Sequence, residues 1–123
     1  MDVYESAFDL IGATPLVRPR TGSPAAVYAK LEYLSIGGSA KDRIGLRMIE
    51  QAEQDGLLRP GGTVVEATSG NTGIGLALVA AEKEYRSVLV ASDRASDEKV
   101  ATLRAFGAEG RFPVAVDTLI IGS

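Results

Sequence analysis

Apolar residues change their spacing several times along the 123-residue chain, and each change marks an element. Between Ser39 and Gly56 the apolar positions Ile44, Met48, Ile49 and Ala52 recur at helical intervals. Ser39 supplies a hydroxyl cap, Asp42 three residues on completes an S-x-x-D pattern, and Gly56 closes the helix. "TVVEAT", Thr63 to Thr68, is a β-branched strand that feeds the glycine-rich loop "SGNTG", Ser69 to Gly73, and "IGLALVAAEKE" follows as a helix. "SVLVAS", Ser87 to Ser92, is a second and nearly all-apolar strand. The helix after it is capped by Ser96, carries Asp97 and Glu98 in its first turn and stops at Gly107, with a third strand near "RFPVAV". Ahead of this block, "VYAKLEY", Val27 to Tyr33, predicts a strand, and "YESAFDLIGATPLV" a short helix running into an extended Thr-Pro turn. Apolar strands alternating with helices predict an α/β fold: a three-layer domain whose parallel sheet is covered on both faces.

Length and composition narrow the chemistry. The chain suffices for one domain with a modest core. With 46% hydrophobic and 24% charged residues and a net charge of −3, it reads as an ordinary soluble protein without the basic character that nucleic acid demands. The longest apolar run, Ile74 to Ala81, is far short of the roughly 20 residues a membrane span needs. The start, "MDVYESAFDLIG", lacks a basic n-region, so a cytoplasmic location is expected. The absence of cysteine and histidine excludes disulfides, thiolate nucleophiles, a Ser-His-Asp triad and histidine-held metals, and no metal site is expected. Lysine is the main catalytic option left.

Lys41 sits in the first turn of a helix, where the dipole disfavours a cation. An amine kept neutral there could attack a carbonyl and form a Schiff base; the plain alternative is a solvated lysine paired with Asp42. "TSGNTGIG" joins the carboxyl end of a strand to a helix start, where backbone N–H groups, with Ser69, Asn71 and Thr72, make an anion cradle. Its plain alternative is a tight βα turn that needs glycine for its backbone angles. The glycine spacing fits neither a Walker A loop nor G-x-G-x-x-G, which disfavours a nucleotide-binding module.

Together, a Schiff-base lysine and a carboxylate cradle are the parts needed to handle an α-amino acid on an aldehyde cofactor. "IGATPLV", "KLEYLSIGGSAKDR", "GLLRPGGTVVEATSGNTGIGLALVAA" and "SDEKVATLRAFGAE" resemble, in order and spacing, the amino-terminal part of the cysteine synthase and cystathionine β-synthase family of pyridoxal-phosphate enzymes, fold type II. The resemblance covers about residues 8–109, and "EYLSIGGS" leans toward its cystathionine β-synthase side. It implies that Lys41 holds pyridoxal 5'-phosphate and later moves the substrate's α-proton, and that Asn71 hydrogen-bonds the cofactor's ring oxygen. Thr68, Ser69, Gly70, Asn71 and Thr72 would form the loop that grips the substrate carboxylate. The implied reaction is β-replacement, in which serine or an O-activated serine loses its β-substituent and a sulfur nucleophile adds.

The same resemblance divides the chain into residues 1–41, from a larger cofactor domain, residues 42–116, a smaller α/β domain with the substrate loop, and a tail at 117–123. The phosphate-anchoring loop and the residue facing the pyridine nitrogen are expected beyond the last residue, Ser123, so that the chain is a truncated homologue stopping in mid-fold. Ser35 and Ile36 stand where the family usually has Asn-Pro, which removes a restraint on the approach to Lys41. Apolar surface meant for the missing half would be exposed, which predicts a homo-oligomer or association with a full-length relative. A second reading, of a different class, is a non-catalytic fragment acting as an interaction or amino-acid-binding module.

Overall fold

The computed structural model describes residues 3–68, 70–92 and 95–114. Ser6 opens the first element: its hydroxyl accepts the Phe8 N–H at 3.1 Å and Asp9 takes the Ser6 N–H at 3.3 Å, closing a single 3-10 turn over Ala7–Leu10. Strand β1, Leu16–Val17, pairs antiparallel with β2, Ala29–Lys30. The strand expected over Val27 to Tyr33 is thus only two residues long and gives way to a 3-10 turn at Glu32–Leu34. The ladder stops because Pro15 accepts the Leu31 N–H at 3.0 Å but has no N–H to return.

Helix α1, Lys41–Gln54, is followed by β3, Thr63–Ala67, α2, Asn71–Glu82, β4, Arg86–Ser92, α3, Asp97–Ala105, and β5, Glu109–Val114. Strands β3, β4 and β5 form one parallel sheet in chain order, which establishes the expected α/β class. Helix α2 begins three residues earlier than its apolar run, because Gly70 is extended and the Thr68 hydroxyl takes the Gly73 N–H at 3.2 Å. The third strand ends at Val114; Ala115, Val116 and the tail at 117–123 lie outside the described residues. Ser96 caps α3 as expected, accepting the Lys99 N–H, and Gly107 ends it with φ +78°.

Helix α2 is buried from Gly73 through Ala80, which its all-round apolar sequence requires. One side packs with Leu89 of β4 and Leu103 of α3; the other packs with Ile49 of α1, in a cluster that reaches Val64 of β3. All three helices therefore gather on the sheet face carrying Val64 and Leu89. On the opposite face of the sheet, Val65 is 65% exposed. Among the described residues no helix is long and apolar enough to cross a membrane.

The amino-terminal segment is tied to α1 by one polar network. The Arg43 guanidinium donates to both Glu32 carboxylate oxygens at 2.9 Å and to the Gly12 carbonyl at 3.0 Å, while Thr14 donates to Glu32 at 2.6 Å. Gly12 is required, because its φ is +95° and a β-carbon there would lie 2.9 Å from Arg43 Nη1. Hydrogen bonds from Arg43 first, then Thr14, hold the Glu32 carboxyl down at about 2 against an ordinary 4.5. A carboxyl depressed in the fold stabilises it fully above the unfolded value and loses that contribution as pH falls toward the folded one. Wild type is therefore expected to lose an acid-sensitive increment of stability between pH 4.5 and about 2 that Glu32→Gln lacks, as read by paired thermal melts across that window.

Candidate active site

The two elements that the sequence marks as chemically interesting lie 30 residues apart, and two glycines bring them together. A β-carbon placed on Gly45 of α1 would stand 2.6 Å from the Gly75 carbonyl carbon of α2; one on Gly75 would stand 2.7 Å from the Lys41 carbonyl oxygen. The helices therefore pass backbone against backbone. Lys41 is the first residue of α1, and Gly75 lies about one turn beyond Asn71, the first residue of α2. The close pass sets the two helix starts side by side at the carboxyl end of β3, the edge where open parallel sheets bind ligands.

Around Lys41 the local structure differs from the simple capping box. Ala40, in helical conformation, is the cap residue and makes no side-chain bond, while Ser39 one place earlier accepts the Lys41 N–H at 3.2 Å. Asp42 reaches past Ser39 to take the Gly37 N–H at 2.6 Å, and its side chain is wholly buried. The Lys41–Asp42 pairing expected of an idle surface lysine does not form among the described residues. Lys41 is exposed, and Lys30 and Lys83 are instead bonded to Thr14 and Glu53.

In the turn after β3, the Thr68 hydroxyl accepts the N–H groups of Gly70 at 3.4 Å and Gly73 at 3.2 Å, so that it staples the turn and keeps its own proton to donate. Gly73 has no room for a side chain, since a β-carbon would meet Thr68 Cγ2 at 2.3 Å. Gly70 is the opposite case: among the described residues beyond its chain neighbours, nothing lies within 4 Å of its missing β-carbon. Asn71 is exposed and Thr72 half-buried, at the positive end of a 12-residue helix. Ser69 lies outside the described residues.

An accessible primary amine can hold an aldehyde or carry a proton, and an open turn of amide and hydroxyl donors can receive a carboxylate. In chemical type, Lys41 and Asn71 could hold an aldehyde cofactor, and the described turn residues Thr68, Gly70, Asn71 and Thr72 could receive a carboxylate. Gly37, Gly45 and Gly75, which help build this geometry, carry no chemical signal in the sequence, and Asp42 stands out there only as a capping partner of Ser39 or an ion partner of Lys41. The one available signal is glycine inside a helical pattern, which a close packing contact explains.

Lys41, at the start of α1, thus lies beside the strand–turn–helix connection of an α/β domain. Residues 7–112 match the family described as pyridoxal-phosphate dependent enzyme. The chain belongs to that family. The cystathionine beta-synthase of Apis mellifera is 52% identical over 104 residues, covering 80% of this chain and 21% of that protein. A probable cysteine synthase of Bacillus subtilis (strain 168) is 48% identical over 112 residues, covering 89% of this chain and 36% of its own length. The crystal structure of O-ureido-L-serine synthase superimposes with a TM-score of 0.84 at 46% identity, covering 91% of this chain and 36% of that one. The chain thus spans well under half the length of these proteins.

Proposed function

We propose that this chain carries the lysine and substrate turn of a pyridoxal-phosphate-dependent β-replacement enzyme, acting on serine or an O-activated serine with a sulfur nucleophile. The observation that carries this reading is the seating of the Lys41 carbonyl against Gly75, which puts the exposed Lys41 beside the start of α2. When bound, the cofactor supplies an electron sink for carbanion chemistry at the substrate's α-carbon. The protein's part is to hold the aldehyde at Lys41, orient the ring through Asn71, receive the carboxylate on Gly70, Asn71 and Thr72 with Ser69 and Thr68, and carry the α-proton on the Lys41 amine.

In this proposal residues 1–41 belong to a larger cofactor domain, 42–116 to the smaller domain and 117–123 to a tail. The separation of the β1–β2 ladder from the parallel sheet supports that division. The exposed Val65, Leu57 and Leu16 support association with a second copy or a full-length relative, and a monomer in gel filtration would count against it.

The test is a titration of the chain with pyridoxal phosphate. The expected result is the absorbance band of cofactor bound through its aldehyde, shifting on addition of serine or O-acetylserine but not of acetate. No band at saturating cofactor would overturn the reading and favour the non-catalytic interaction or amino-acid-binding module.

A further inference from the structure

We infer that Asp42 is a positioning residue for the Lys41 amine, acting by locking the loop before α1 onto the helix. The inference rests on the proposed function, because it assigns a second residue to the same site.

Lys41 follows two glycines, Gly37 and Gly38, the second at φ +78°, and Ile36 offers none of the backbone restraint that a proline would. Left to its own flexibility, such an approach would let the first turn fray and the lysine sweep a wide arc. The structure holds it from two sides. On one side the Lys41 carbonyl and the Asp42 α-carbon abut Gly75, at 2.7 and 3.2 Å from where a β-carbon would stand. On the other, the Asp42 carboxylate takes the Gly37 N–H at 2.6 Å.

Gly37 is shaped to this contact, for a β-carbon there would lie 2.2 Å from Asp42 Oδ1 and 3.0 Å from Oδ2. The carboxylate is wholly buried and Oδ1 has no partner among the described residues. Burying a carboxylate with one oxygen unsatisfied is costly, so the contact at Oδ2 is not incidental packing. The remaining freedom at this turn is that of the Lys41 side chain itself, which is what a reaction at the amine requires.

The test uses reductive labelling of the intact chain with pyridoxal phosphate and cyanoborohydride, mapped by peptide mass spectrometry. The rate at Lys41 is divided by that at Lys99, an exposed lysine on α3. Asp42→Ala and Gly37→Ala are expected to lower this ratio about tenfold, since a misplacement of roughly 1 Å can cost still more in a positioned reaction. Asp42→Asn, whose amide oxygen can still accept the Gly37 N–H, should rescue the ratio to within about twofold of wild type. Leu103→Ala, destabilising through the other side of the core, should leave the ratio unchanged while the chain remains folded by circular dichroism.

Equal ratios in wild type and Asp42→Ala would overturn the positioning role and leave the proposed function standing. A wild type that labels Lys41 no faster than Lys99 would overturn both.

Discussion

Lys41→Ala is expected to abolish the absorbance band of protein-bound pyridoxal phosphate, with no other lysine replacing it. The alternatives are poorly placed. Lys30 is held by Thr14 and Glu32, Lys83 is bonded to Glu53 at 2.8 Å, and Lys99 belongs to α3, which takes no part in the backbone pass between α1 and α2. Only Lys41 combines exposure with a backbone pinned beside the α2 start. Lys41→Arg should fail in the same way, because a guanidinium stays protonated and is no nucleophile. Retention of more than half of the wild-type band in Lys41→Ala, measured at saturating cofactor, would show that capture happens elsewhere.

Gly75→Val is expected to give the largest loss of stability. Its first side-chain atom alone would stand 2.7 Å from the Lys41 carbonyl oxygen, backbone against backbone, where no rotamer change relieves the clash. The roughly 1 kcal/mol of helix propensity gained by removing a mid-helix glycine is small beside a cost of about 3 kcal/mol or more for forcing the helices apart. For a domain of this size that is a fall on the order of 10–20 °C in melting temperature. Gly70→Ala provides the contrast, since its missing β-carbon meets nothing among the described residues within 4 Å and the change should cost about 1 kcal/mol or less. Similar melting temperatures for the two variants would mean that the helices do not pass at Gly45 and Gly75.

Local signals made the block from Thr63 to Gly107 legible. β-Branched runs marked β3 and β4, Ser96 marked the start of α3 and Gly107 its end, and structure and sequence agree there because each element is specified by its own residues. The candidate site was half legible. Lys41 and the turn at 68–72 stood out by their chemistry, but what joins them did not, because the Gly45–Gly75 contact links residues 30 apart and nothing in the helical period announces it.

Asp42 was read through its nearest pattern, a capping box with Ser39. The real partner is Gly37, two residues further back, because Ala40 takes the cap position and shifts the frame. The strand expected at Val27 to Tyr33 failed for a different reason: β propensity says nothing about the partner, and Pro15 in that partner ends the ladder.

In the proposed function the Lys41 amine and the Asn71 turn serve one ligand. Amide chemical shifts of the isotopically labelled chain, recorded with and without pyridoxal phosphate, address it directly. Perturbations are expected to concentrate at Lys41 and at Gly70, Asn71 and Thr72, including the Asn71 side-chain amide. Shifts confined to the surroundings of Lys83 or Lys99, with residues 70–72 unmoved, would contradict it.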